Sequence, residues 1–76
     1  MKIPKTLAQM KPGDTGIISG FTDDQISVKL MEMGCLPGVP VRVNFTAPFG
    51  DPMCISVSGY ELSLRIEEAA SISIIN

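Results

Sequence analysis

The sequence predicts a mainly β domain, a small five-stranded barrel with one short α-helix between the first two strands. Three observations lead there. Residues from Val39 onward alternate apolar and polar with a period of two, in short runs. Only one stretch, between Thr22 and Gly34, carries helical spacing. The runs are joined by tight turns rich in proline and glycine. With 76 residues the chain has room for one domain, taken as 1–76, near the lower limit for folding alone. So small a sheet cannot shield exposed strand edges, so a closed or nearly closed barrel is expected.

The elements follow in order. Thr6-Leu7-Ala8-Gln9-Met10 is a short lead with one helical turn, and Lys11-Pro12-Gly13-Asp14 is a turn by composition. Gly16 to Phe21 forms the first strand, with Gly20 marking a bend or bulge. Thr22 with Gln25 three places later fits a capping box, and Asp23 and Asp24 suit the positive end of a helix. Ile26, Leu30 and Met33 make its apolar stripe. Gly34 stops it in a left-handed cap, and Pro37-Gly38 prevents a restart.

The remainder is β. Val39, Val41, Val43 and Phe45 alternate with Pro40, Arg42, Asn44 and Thr46, and Ala47 to Pro52 makes a turn. Met53, Ile55 and Val57 continue the inward phase, which sends Cys54, Ser56 and Ser58 outward. Gly59-Tyr60 turns the chain. Leu62, Leu64 and Ile66 alternate with Glu61, Ser63 and Arg65, Glu67 to Ala70 is a 3₁₀ turn, and Ile72 and Ile74 give a last strand.

Composition removes several function classes. The chain has no histidine, so Ser-His-Asp and Cys-His catalysis are excluded and the commonest transition-metal ligand is missing. No catalytic residue, cofactor or dedicated metal site is expected. Gly13, Gly16 and Gly20 open no helix and no Walker lysine follows, so they read as turn glycines. Lys2, Lys5 and Lys11 make a basic lead, but from residue 12 onward three basic residues face eight acids, net −5. That balance repels phosphate backbones, so nucleic acid is not an expected partner.

The start Met1-Lys2-Ile3-Pro4 runs into polar residues without a signal-peptide pattern, and no apolar run approaches the ~20 residues of a membrane span. Cys35 and Cys54 form no C-x-x-C motif and read as free thiols. These features place the chain in the cytoplasm, without membrane insertion.

Protein partners remain. Leu30, Met31, Met33, Cys35 and Leu36 crowd around the helix end, and a helix plugging a barrel buries one stripe only. Met31, Val28 and Leu36 then fall at its margin or in solvent. Phe49 adds an apolar tip on the turn Pro48-Phe49-Gly50. The candidate contact residues are therefore Leu30, Met31, Cys35, Leu36 and Phe49, either touching a partner or shaping the surface that does. Gly34, Pro37, Gly38, Pro48, Gly50, Asp51 and Pro52 hold turn geometry. Small barrels with apolar turns often self-associate, which leaves homo-oligomerisation open.

The same residues carry a family resemblance. Leu30-Met31-Glu32-Met33-Gly34-Cys35-Leu36-Pro37-Gly38 looks like an L-x-x-M/L-G-x-x-P-G segment, and Ala47-Pro48-Phe49-Gly50-Asp51-Pro52 looks like an A-P-x-G-D-P turn. Gly59, Leu62-Ser63-Leu64-Arg65, Glu68-Ala69 and Ile72 follow. Order and spacing, from about Leu7 to Ile75, resemble the FeoA family of bacterial ferrous-iron transport. The resemblance implies an SH3-like barrel, no catalysis, and docking on the cytosolic GTPase part of the membrane transporter FeoB. Lys29 and Cys35 stand where many members carry arginine and a larger apolar residue, so a largely apolar contact is implied.

Two alternatives stay beside this reading. One is a nucleic-acid-binding barrel of ribosomal type. The other is a stand-alone version of the SH3-like domain of iron-responsive repressors, whose helix-turn-helix this chain does not show.

Overall fold

A computed structural model describes residues 5–75. The ends of the expected 1–76 domain, residues 1–4 with Lys2 of the basic lead, and residue 76, lie outside the described residues. The elements are β1 (Lys5–Thr6), a 3₁₀ turn (Leu7–Gln9), β2 (Thr15–Phe21), α1 (Asp24–Glu32), β3 (Pro40–Thr46), β4 (Met53–Val57), β5 (Tyr60–Leu64), α2 (Ile66–Ala69) and β6 (Ile72–Ile75). All strands join one antiparallel six-stranded sheet in the order β1-β6-β2-β3-β4-β5. The sheet curls around Leu7, Ile18, Leu30, Val43, Ile55, Leu64, Ile72 and Ile74, which belong to one buried cluster. Between the two ends of the order, the 3₁₀ turn packs on α2.

The strand missed in the sequence is β1. Two residues cannot show an alternation, and Lys5 and Thr6 become a strand only by pairing with Ile74 and Ser73. The bulge expected at Gly20 is present: the register shifts between Ile18 and Gly20, whose partners are Ile74 and Ser73.

A second bulge was not expected. Val43 pairs with Ile55, but Phe45 pairs with Cys54, so Asn44 is the extra residue. The inserted residue inverts the phase of everything after it. Phe45 therefore leaves the inward series and is 60% exposed, a correction to its expected place in the core. Cys54 lies on the outward phase as expected but is only 8% exposed. Its cross-strand neighbour is Phe45, and the Asn44 amide sits 3.9 Å from its sulfur while donating to Ser56 Oγ at 2.8 Å. Cys54 is therefore a covered thiol, not a surface one.

Helix α1 starts one residue later than the capping box suggested. Asp23 is the N-cap: its Oδ1 accepts from the amides of Gln25 at 2.9 Å and Ile26 at 3.3 Å. Thr22 instead donates its amide to the Ser71 carbonyl at 2.8 Å, tying the helix entrance to the chain just before β6. At the other end Gly34 takes φ +104, Cys35 N–H returns to Leu30 O at 3.0 Å and Gly34 N–H to Met31 O at 3.1 Å. This is a Schellman motif, and it folds Cys35 back over the helix it ends.

The segment Glu67 to Ala70 is also corrected. The turn Ile66–Ala69 is α-helical: Ala69 N–H reaches Arg65 O at 3.0 Å and Ala70 N–H reaches Ile66 O at 2.8 Å. Two carboxylates stabilise its start. Glu68 Oε1 accepts from Arg65 N–H at 2.9 Å, and Asp51 Oδ1 accepts from Ile66 N–H at 3.1 Å.

If Asp23 is the cap, Asp23→Ala should cost about 1 kcal/mol while Thr22→Ala costs clearly less. Urea unfolding midpoints of the two variants check the order.

Candidate partner-binding surface

The residues singled out around the helix end divide by accessibility. Leu30 and Cys35 have no exposed surface. They cannot touch a partner in this structure, which corrects their expected contact role. The Schellman turn is the reason, since it closes Cys35 onto Leu30 and places both in the buried cluster. Their contribution is to shape the surface from beneath. Met31, Leu36 and Val28 are exposed, Leu36 by 45%.

Phe49 is 99% exposed but stands elsewhere. It lies on the turn after β3, whereas Leu36 precedes that strand. The seven residues of β3 span roughly 20 Å at about 3.3 Å per residue. Phe49 and Leu36 therefore mark opposite ends of the strand and do not form one patch.

What joins Leu36 is a group that the sequence did not reveal. Gly38 N–H donates to Ile18 O at 2.7 Å, Ile18 N–H to Val39 O at 3.0 Å, and Val39 N–H to Leu36 O at 3.2 Å. These bonds strap the Leu36–Val39 loop along β2. Directly beside it, Ile17 pairs with Pro40 on one side and Ile75 on the other. All three are exposed, on the face opposite to Ile18 and Ile74. An apolar row thus crosses β3, β2 and β6 next to the helix end. The only hint in the sequence is that Ile17 and Ile75 break the alternation, and hydrophobicity alone does not say which neighbour faces out.

Gly34 ends α1, Pro37 and Gly38 lie in the strapped loop, and Pro48 lies in the β3–β4 turn closed by Gly50 N–H to Ala47 O at 2.7 Å and Ala47 N–H to Pro52 O at 3.0 Å. Asp51 does more than turn the chain, because its carboxylate anchors the hairpin to α2.

The electrostatics centre on Glu68. Its Oε2 accepts from Lys29 Nζ at 2.8 Å, and its side chain is 12% exposed against 66% for Lys29. The Lys29 hydrogen bond first, then the Arg65 amide, hold its carboxyl below the usual carboxylate range. Burial first, and the Glu68 charge second, push the Cys35 thiol up. Cys35 is thus a protonated, inaccessible thiol, ill suited to nucleophilic or metal chemistry. Among the described residues, no group of three or more His, Cys, Asp or Glu is placed to hold a metal ion. What the arrangement offers is an apolar surface above buried neighbours.

Comparisons with known proteins bear on the family and the fold. Residues 5–76 match the FeoA domain family. The FeoA-like protein of Clostridium acetobutylicum superposes with a TM-score of 0.90 at 29% identity, covering 99% of this chain and 88% of that one. FeoA of Stenotrophomonas maltophilia, solved with zinc and described as an SH3 domain protein, gives 0.81 at 27% identity, covering 92% and 88%. A manganese-dependent transcriptional repressor shares the fold at TM-score 0.89 with 18% identity, this chain spanning 38% of its length. Among curated proteins, none matches the sequence.

The depressed Glu68 pKa fixes a pH dependence. A carboxyl that ionises more readily folded than unfolded adds stability above its unfolded value and loses it as pH falls through the folded one. Glu68→Gln should therefore be less stable than the parent at neutral pH, by up to about 1 kcal/mol for an ion pair whose lysine is open to solvent. The gap should narrow as pH falls below 4.5, the ordinary value for this carboxyl. Thermal unfolding of both proteins from neutral to acid pH reads this out.

Proposed function

The chain belongs to the FeoA family, and from that premise we propose a non-enzymatic cytoplasmic accessory of ferrous-iron transport that docks on the cytosolic GTPase part of FeoB and modulates Fe(II) uptake. One observation carries the reading: the exposed apolar row Pro40, Ile17 and Ile75 beside the strapped loop that bears Leu36. Exposed apolar groups gathered on a small domain suit a protein interface. The motif residues Leu30, Gly34, Cys35, Pro37 and Gly38 build the ground beneath it. The absence of histidine removes the commonest general base, and the net acidic body opposes a nucleic-acid role.

Among similar structures, one is described as an iron uptake regulatory protein, and the Stenotrophomonas maltophilia FeoA as possibly acting as a ferrous iron transport activating factor. Likeness to the manganese-dependent repressor reaches only the fold.

The test is a pull-down of the purified chain against the transporter's cytosolic domain, with and without guanine nucleotide. Leu36→Lys and Ile17→Lys should weaken capture roughly tenfold or more while changing stability by only about 0.5 kcal/mol. Leu30→Ala should instead lose about 2–5 kcal/mol and lower capture by unfolding. No capture under either condition, with the full-length transporter also negative, would overturn the reading.

A further inference from the structure

The sheet ends in two edges of unequal character. Among the described residues β1 is two residues long, Lys5 and Thr6, a short, charged edge of the kind that resists pairing. β5 runs five residues, Tyr60 to Leu64, without proline, lysine or bulge, and its register with β4 is unbroken. Which of its backbone groups face outward follows from the hairpin. Val57 and Tyr60 flank a two-residue turn with φ 51 at Ser58 and φ 82 at Gly59, a type I′ geometry. Such a turn makes Val57–Tyr60 a hydrogen-bonded pair, so bonded and non-bonded pairs alternate from there. Ile55–Leu62 and Met53–Leu64 are then bonded, while Glu61 and Ser63 direct N–H and C=O away from β4. The next outward amide, Arg65 N–H, is taken by Glu68 Oε1. Among the described residues, the edge therefore offers the four backbone groups of Glu61 and Ser63 and stops there.

We propose that β5 pairs antiparallel with the β5 of a second copy of this chain, across a two-fold axis at Leu62. In that register Glu61 lies opposite the second copy's Ser63, and Ser63 opposite its Glu61. The four outward groups on each strand match their counterparts, which is the pattern of two adjacent hydrogen-bonded pairs. The side chains agree. On the outer face each Glu61 meets a serine hydroxyl directly, with Arg65 on one diagonal to offset the second copy's Glu61 on the other, while Arg65 stands opposite Gly59, which leaves it room. Beside Ser63 and Arg65 lies a depression of about 260 Å³ lined by Asp51, Pro52, Ser63 and Arg65. This is the place the second copy's Glu61 would enter. Asp51 in that wall already accepts from Ile66 N–H, and Arg65 supplies the countercharge. Leu62 faces Leu62 on the other side of the strand. The self-complementarity of charge and hydrogen bonding picks a second copy over a foreign strand.

One strand pair buries less than a standard stable interface, so association should be weak and concentration-dependent. The experiment is sedimentation velocity with amide exchange by NMR, from about 10 µM to about 1 mM. Dimer should accumulate with concentration, and the Glu61 and Ser63 amides should become protected. Ser63→Pro removes an outward N–H that the β4 ladder does not use, so it should fold and stay monomeric. Glu61→Lys should weaken the dimer roughly tenfold, and the double variant Glu61→Lys with Arg65→Glu should recover most of the loss. A chain monomeric up to the highest concentration would overturn the proposal. So would self-association that leaves the two amides unprotected and perturbs those of Ile17 and Ile75 instead.

Discussion

The Glu68 carboxylate reaches two segments through its two oxygens, and much of the molecule's arrangement depends on that reach. Oε2 holds Lys29 on α1, 39 positions away, and Oε1 caps the Arg65 amide where β5 gives way to α2. Its own carbonyl accepts the Ser71 hydroxyl at 2.7 Å, and Ser71 in turn accepts the Thr22 amide ahead of α1. The circuit closes from helix to helix and back to the strand that precedes α1. Nine residues of helix have little stability of their own in water. Its stripe of Ile26, Leu30 and Met33 supplies attraction without direction, while the ion pair and the Thr22 bond supply direction. The positions of Met31 and Leu36 follow from where these bonds hold α1.

The short apolar elements were legible because their information is local. Alternation along Met53 to Val57, the stripe at Ile26, Leu30 and Met33, and the stop at Gly34 each follow from residues within a few positions of one another. What escaped is information held between distant strands. Asn44 resembles any outward polar residue in an alternating run, and only the register against Ile55 and Cys54 reveals it as an insertion. Phe45 and Cys54 were misread for that one reason. Lys5 and Thr6 form a strand only because β6 arrives beside them. Asp23 and Thr22 are both good caps, and the choice between them is made by Ser71, 49 positions from Thr22.

The candidate surface shows the same division. Its motif-bearing residues were visible in the chain, yet Leu30 and Cys35 prove to be foundations rather than contacts. The accessible residues beside them, Ile17, Pro40 and Ile75, come from three separate strands and become neighbours only in the sheet. The motif residues Leu30, Gly34 and Cys35 build the turn, and the exposed side chains Met31 and Leu36 sit on top of it. Glycine at 34 and the residues folded under it tolerate little change, whereas Met31 and Leu36 are limited mainly by what they meet.

The strand order has a consequence for chain closure. β6 lies between β1 and β2, so Thr6 gains its partner only when Ser73 reaches it. The hairpins joining β3, β4 and β5 close over short turns and pay little entropy to form. β1 and β6 must first bring together residues from nearly opposite ends of the described chain, and no shorter contact can stand in for that one. Chain closure therefore costs least within the β3–β4–β5 meander and most where β1 meets β6.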